Sequence, residues 1–250
     1  MKAMVLAAGL GTRLRPLSND RPKALVTIAG RTMLEIALAR LRAAGVTGVI
    51  VNAHHFADQI EHFIEGREDL GMRVEISREA ELLDTGGGLK QAAWFFLGAS
   101  EESDASFIVH NVDVISTIDF TRMVRTHVEN GALATLAVAA RDSSRQLIFD
   151  EYGLLCGRRA GRDAAPEFVR AITQPQQLAF SGIHVISPRI FSLLRETGAF
   201  SIIDAYLRLA AEGEKIAAFR ADEYYWRDLG NPESIAAAER DIASGAFAAE

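Results

Sequence analysis

The sequence predicts an α/β fold, a Rossmann-like, doubly wound and mostly parallel sheet covered by helices on both faces. Short apolar runs of strand length recur along the chain, each bounded by glycine or polar residues, as in strands buried on both sides. Segments with apolar residues at helical spacing lie between them, so strand and helix alternate in the order that builds a parallel sheet. The chain has 250 residues, 49% apolar and 24% charged, enough to bury a large core. Residues 1–250 are expected to form one domain.

The elements follow in order. Residues 3–8, "AMVLAA", form the first strand. Thr32, with Glu35 three residues on, predicts a capped helix start. Met33, Leu34, Ala37, Leu38 and Leu41 then keep helical spacing until Gly45. "GVIVNA", residues 48–53, is the next strand; Phe56, Ile60, Phe63 and Ile64 mark a second helix, and "MRVEI" alternates as a strand. After "TGGG" the run "LKQAAWFFL" is helical, with Trp94, Phe95 and Phe96 expected in the core. A strand over 106–114, a helix over 119–130 and a strand over 132–140 come next. From 141 to 175 the pattern loosens into a small insertion of short strands or loop. "LAFSGIHVI", 178–186, restores a core strand, and "EYYWRDLG" leads to an Ala-rich helix from Pro232 onward that packs on the body or touches another subunit. Ligands of such a sheet bind beyond the carboxyl ends of its strands.

Composition narrows the partners. A formal charge of -6 and the lack of a long Lys/Arg-rich face argue against nucleic acid. Cys156 is the single cysteine, which excludes an intrachain disulfide and a thiolate cluster, fits a reducing compartment and reads as a buried apolar residue. The opening "MKAMVLAAG" has no cleavage pattern and no run of 18 apolar residues occurs, so a cytoplasmic protein with no membrane partner is expected. His54, His55 and His110 lack metal-ligand spacing and read as loop or crevice residues.

The chemistry starts at "LAAGLGTRLRPLSNDRPKAL", residues 6–25. A strand ending at Ala8-Gly9 and running into Gly11-Thr12-Arg13 puts backbone N–H groups and small side chains where a large anion or flat base can approach closely. The P-loop pattern is excluded because no Gly-Lys-Ser/Thr follows. The dinucleotide fingerprint fails because Leu14 stands in the third glycine's place. What remains is a small-residue turn with two cations, Arg13 within it and Lys23 beyond it, able to converge on one polyphosphate: a planar fork and a point charge.

These residues carry a resemblance. Leu6, Ala7, Ala8, Gly9, Gly11, Thr12, Arg13, Pro16, Pro22 and Lys23 match the opening motif of the sugar-1-phosphate nucleotidylyltransferases, with Ser18 at the motif's threonine position. The similarity continues through "DTGGGLKQA", "HNVDV", "FSGIHV" and "WRDLGNPES". The chain resembles most the short muramate-type uridylyltransferases, which lack the carboxyl-terminal β-helix of longer relatives. The resemblance implies a glycosyltransferase-A-like fold and Mg2+-dependent transfer of a nucleotidyl group from an NTP to a sugar 1-phosphate. N-acetylmuramate 1-phosphate or a related sugar is implied as acceptor, in peptidoglycan recycling, with release of pyrophosphate by a monomer or homodimer.

Carried over residue by residue, the resemblance makes Arg13 and Lys23 catalytic. It puts Ala8, Gly9, Gly11, Thr12, Arg13, Lys23, Glu81 and Gly86 at the nucleotide, Asn111 and Gly182 at the sugar, and Asp113 and Asp228 on the metal. On the residues alone, Asp113 can instead cap a turn, Asp228 can pair with Arg227 and Glu81 can be a surface carboxylate. Thr85 is a candidate cap of the helix that begins in the glycine run. Two departures stand out. Val112 replaces the glycine of the usual Asn-Gly-Asp, which is expected to crowd the sugar or alter the turn, and the Glu-Lys-Pro signature that supplies a sugar-phosphate lysine is absent, with Arg170 the candidate substitute. A carboxylate accepts hydrogen bonds only, so Glu81 suits the N3–H of uracil or thymine and the N1–H and N2–H of guanine. UTP is favoured, and GTP with a mannose or heptose 1-phosphate is the alternative. A non-catalytic nucleotide-sugar sensor should have lost at least one of Arg13, Lys23, Asp113 and Asp228; all four are present. A molybdopterin-guanine nucleotide transferase would share the opening loop but not "FSGIHV" or "WRDLG".

Overall fold

The computed structural model describes residues 1–98 and 105–247. Its strands are β1 (Lys2–Leu6), β2 (Thr27–Ile28), β3 (Arg31–Thr32), β4 (Gly48–Ala53), β5 (Arg73–Arg78), β6 (Phe107–Asn111), β7 (Val114–Ser116), β8 (Ala134–Ala139), β9 (Arg145–Phe149), β10 (Leu155–Ala160), β11 (Glu167–Phe168), β12 (Gln176–Ile186), β13 (Ile216–Arg220) and β14 (Trp226–Asp228). The helices are α1 (Met33–Ala43), α2 (Ala57–Ile64), α3 (Asp84–Gln91), α4 (Ala93–Phe96), α5 (Phe120–Asn130), α6 (Ile190–Leu193), α7 (Ile202–Ala211) and α8 (Pro232–Ala243).

A ten-stranded sheet organises the chain, with the path β11-β10-β9-β12-β6-β1-β4-β5 and with β8 pairing β12 and β13. The β1, β4, β5 and β6 ladders are parallel, as the alternation predicts, and β8 and β13 are parallel to each other. β12 runs antiparallel to β6, β8 and β9 and so splices the parallel block to the rest. The loose stretch 141–175 resolves into β9, β10 and β11, which extend the sheet beyond β12.

Alternate residues along the central strands feed two apolar layers. Ala3, Val5, Val49, Val51 and Ile108 pack with α1, α2, α5 and α8, whereas Met4, Ile50, Phe107 and Val109 pack with α3, α4, α6 and α7. Such strands are apolar throughout because both faces are covered. Thr32 and Glu35 form the expected reciprocal cap of α1. Asn231 caps α8, whose Asp241 accepts from Arg227 and Tyr225. The helix packs on the body as expected; residues 248–250 of that expected helix lie outside the described residues. Cys156 is buried. Phe95 and Phe96 are buried, but Trp94 is 54% exposed, a correction to its expected core position: α3 and α4 break at Ala92, and the Trp94 ring meets Phe95 only edge-on while Phe96 stacks on Phe107.

Polar pairs stitch the layers together. His184 of β12 shares a 2.6 Å hydrogen bond with the Tyr206 hydroxyl of α7, and His127 of α5 shares one of 2.9 Å with Thr135 of β8. Burial pushes these imidazoles down to about 3 and about 4, so both are neutral in the folded chain near pH 7. Unfolding restores values of about 6.5, so the unfolded chain binds more protons below that pH and stability falls as pH falls. Melting temperature should therefore decline from about pH 6.5 towards pH 4. His127→Gln should flatten the decline in thermal melts, and an unchanged slope would remove this histidine as a source.

Candidate active site

β1 ends at Leu6, and the chain leaves the sheet with the Ala7 N–H donating to Asn52 Oδ1 at 2.7 Å. Gly11 has φ +64°, open to glycine at little cost; a Cβ there would also come within 3.2 Å of the Lys23 Cβ and 3.3 Å of the Ser18 Cβ. Ser18 completes the turn by donating its hydroxyl to the Gly11 carbonyl at 2.8 Å. Thr12–Leu14 then makes a short helical turn in which buried Leu14 is the anchor and Arg13 stays exposed. Lys23, brought back over this loop, sits near Gly9 and donates Nζ to Asp113 Oδ2 at 2.5 Å. The side chains of this pair are only 15% and 11% exposed. Its Coulomb gain largely offsets its desolvation, but removing one partner would leave a buried charge uncompensated.

Asp113 lies in the turn after β6, and Asp228 closes β14. The β7–β14 ribbon sets Asp228 opposite Val114, and the Leu229 N–H donates to the Asp113 carbonyl at 2.7 Å, so the turn that carries Asp113 and the end of β14 that carries Asp228 are backbone neighbours. Asp228 Oδ1 accepts from the Gly230 N–H at 2.8 Å. A Cβ on Gly230 would come within 2.7 Å of both Arg13 Nη2 and Asp228 Oδ1, so guanidinium and carboxylate approach one point from two sides. Arg227 pairs with Asp241 instead, which removes the alternative Arg227–Asp228 pairing. Arg13, Lys23, Asp113 and Asp228 are thus gathered beyond the carboxyl ends of β1 and β6.

A hard divalent cation takes oxygen ligands, one or two carboxylates being enough beside substrate phosphates and water. Among the described residues, Lys23 engages one oxygen of Asp113 and Gly230 one oxygen of Asp228, which keeps the second oxygen of each for a cation. No set of three or more His, Cys, Asp or Glu among the described residues is arranged to hold a metal. The donor chemistry fits Mg2+ that arrives with phosphate oxygens. His110, directly behind this turn, is fully buried rather than a crevice residue; burial pulls it down to about 4, and it stays neutral beside Asp113.

The expected sugar residues meet at an irregularity of β12. Its register against β8 shifts between Phe180 and His184, and Gly182 has φ +74°. A Cβ on Gly182 would come within 2.9 Å of Asn111 Nδ2 and 3.0 Å of Val114 Cγ2, so glycine lets the strand close on Asn111. Val112 corrects the expected crowding: its side chain is buried in the core and its N–H donates to the Leu6 carbonyl at 3.1 Å. Sequence reasoning missed Arg141 and Trp226 here. Arg141 donates to Ser181 Oγ at 2.9 Å and to the Phe180 carbonyl, its guanidinium lies 3.6 Å from the Trp226 ring centre, and Trp226 Nε1 donates to the Ser181 carbonyl at 2.7 Å. The available signal was a cation immediately after the apolar strand "ALATLAVAA". Arg170 lies elsewhere, its N–H on the Cys156 carbonyl at 3.3 Å.

Glu81, expected to read the base, is exposed in the loop between β5 and α3. The Gly86 N–H is not presented to a ligand. It donates to the Phe200 carbonyl at 2.9 Å, and the Phe200 ring fills the space a Cβ would take. Thr85 does not cap α3; its Oγ1 accepts from Ile202 N at 3.0 Å and so supports the start of α7. The buried group here is Glu79, two residues before Glu81, a second residue that sequence reasoning missed. It accepts from Asn52 Nδ2 at 2.7 Å and Leu83 N at 3.0 Å, so one carboxylate and one amide tie the loop after β1 to the loop that carries Glu81. Polar Asn52 near the end of an otherwise apolar strand was the only sequence signal.

A model of the nucleotidyl transferase family matches residues 2–245. The chain belongs to that family. An N-acetylmuramate alpha-1-phosphate uridylyltransferase of Caulobacter vibrioides is 36% identical over 253 residues, with 96% of each chain covered. A mannose-1-phosphate guanyltransferase beta-A of Xenopus laevis is 30% identical over 240 residues, spanning 94% of this chain but 62% of that longer one. Among solved structures, a UDP-glucose pyrophosphorylase of Acinetobacter baumanii shares the fold with a TM-score of 0.78 at 21% identity, covering 97% of this chain and 93% of the other. In this nucleotidyl transferase no helix among the described residues is long and apolar enough to cross a membrane.

The Asn52–Glu79 brace generates a prediction at Gly88. A Cβ there would come within 2.6 Å of Glu79 Oε1 and 2.7 Å of Asn52 Nδ2. Gly88→Ala should cost about 1–3 kcal/mol in denaturant unfolding, the usual scale of overpacking. Wild-type stability in that variant would mean that the brace yields freely.

Proposed function

We propose that this nucleotidyl transferase moves a nucleotidyl group from an NTP, UTP in preference to GTP, to a sugar 1-phosphate, with N-acetylmuramate 1-phosphate or a related sugar as acceptor. The convergence of Arg13, Lys23, Asp113 and Asp228 on one rim of the sheet carries this reading. The full-length match to a uridylyltransferase supports the choice of base and sugar, and Glu81, exposed in the loop between β5 and α3, supports a base with N–H donors.

The chemistry asks for charge more than for a base. A sugar 1-phosphate has a second pKa near roughly 6, as phosphate monoesters do, so its attacking oxygen is already anionic at neutral pH. Two polyanions must be brought together in line at the α-phosphorus, and the charge that develops there must be stabilised. Arg13 holds the triphosphate and the leaving pyrophosphate with its planar fork. Lys23, anchored through Asp113, supplies a point charge at the α-phosphate, and Ala8, Gly9, Gly11 and Thr12 let the phosphates lie close to the backbone. Mg2+ bound by Asp113 and Asp228 would neutralise phosphate oxygens and fix their orientation. Asn111 and the backbone at Gly182 orient the sugar. The enzyme reading is favoured over a sensor because all four charged residues are present and brought together.

A pyrophosphate-release screen of each NTP against sugar 1-phosphates tests this reading. UTP with N-acetylmuramate 1-phosphate should give the highest kcat/KM, and turnover should vanish on chelation of Mg2+. No turnover with any pair would favour the sensor. Arg13→Ala and Lys23→Ala should each lower kcat by about a hundredfold or more, the scale of a lost preorganised charge. Arg13→Ala should leave thermal melts unchanged, whereas Lys23→Ala should also lower the melting temperature, because Asp113 loses its buried partner. Activity that survives both would remove these roles.

A further inference from the structure

Arg141 is a cation with no carboxylate in contact with it among the described residues. It follows β8, is half-buried, and spends one donor on Ser181 Oγ and another on the Phe180 carbonyl. One face of the guanidinium is stacked on Trp226. Among the described residues no carboxylate lies within ion-pair distance of it; Arg67, Arg158, Arg208 and Arg227 are each paired with one or more. Burial lowers its pKa while Asp228 and Asp222 act on it from beyond contact, so part of the desolvation cost is unmet. A guanidinium has five N–H donors, and the two neutral partners leave most of the fork unused.

Its position points to what completes it. Ser181 precedes Gly182, which closes on Asn111, and Trp226 precedes Asp228 by two residues. Arg141 therefore sits where the sugar-side strand meets the carboxylate ribbon. The triphosphate has Arg13 and Lys23 of its own.

We propose that Arg141 binds an oxyanion on the sugar half of the acceptor through its free N–H edge and so sets the affinity for that substrate. This rests on the sugar 1-phosphate reading above. Planar bidentate recognition suits phosphate and carboxylate alike. A muramyl sugar 1-phosphate carries both, on its anomeric carbon and on its lactyl ether.

Steady-state kinetics of the wild type, Arg141→Gln and Arg141→Lys test the proposal, with UTP and either N-acetylmuramate 1-phosphate or N-acetylglucosamine 1-phosphate, which lacks the carboxylate. For a sugar that is not turned over, its inhibition constant is read instead. Arg141→Gln should raise the sugar constant about tenfold or more, the scale of one charge-assisted hydrogen bond, while the UTP KM stays within about twofold. Arg141→Lys, with charge but no fork, should fall between, and it carries the test if the glutamine variant does not fold. An equal loss for both sugars identifies the phosphate as the oxyanion; a loss confined to the muramyl sugar identifies the carboxylate. An unchanged sugar constant, or a UTP KM that rises in parallel, overturns the proposal. A wild type inactive with every sugar 1-phosphate would instead overturn the reading on which it rests.

Discussion

One ion pair holds the site together. Lys23 reaches from the segment after the opening loop to Asp113 in the turn after β6, two places 90 residues apart in sequence that adjacent parallel strands bring to one rim. A site for polyanions must keep cations in place before the substrate arrives, and it must do so without collapsing onto its own carboxylates. Here one cation, Lys23, is held by a carboxylate, while Arg13 and Asp228 approach the same point around Gly230 without forming a contact as close as that pair. The charges are preorganised by backbone: the β1 and β6 ends fix one side and the β7–β14 ribbon fixes the other.

The same economy extends outward. Asn52 bonds both to the amide that starts the opening loop and to buried Glu79, and Glu79 bonds to the amide of Leu83 beyond the Glu81 loop. On the opposite flank Arg141, Trp226 and Ser181 lock the irregularity of β12 that lets Gly182 meet Asn111. The groups proposed to touch substrate are therefore carried by short loops braced by buried polar side chains. This is how loops can be positioned to the tolerance that transfer between two phosphates needs.

Much of this was legible in the sequence for local reasons. The Thr32–Glu35 cap, the "GVIVNA" strand and the helix over 119–130 are set by short-range patterns and appear where those patterns end. The opening loop was legible because its glycines and cations are close together in the chain. What stayed hidden depends on long-range contact. Gly86 reads as an open backbone until Phe200, 114 residues on, is seen to fill its space. Val112 reads as an obstruction until the core is seen to receive it. Glu79 and Arg141 look like ordinary surface charges because nothing in a single sequence shows that a charge at a strand end turns inward.

The most direct measurement is a crystal structure of the chain with a non-hydrolysable UTP analogue and Mg2+. The account predicts the triphosphate within hydrogen-bond distance of Arg13 and Lys23, with the ion between Asp113, Asp228 and phosphate oxygens. A triphosphate bound away from this rim, with the Lys23–Asp113 pair facing only solvent, would contradict it.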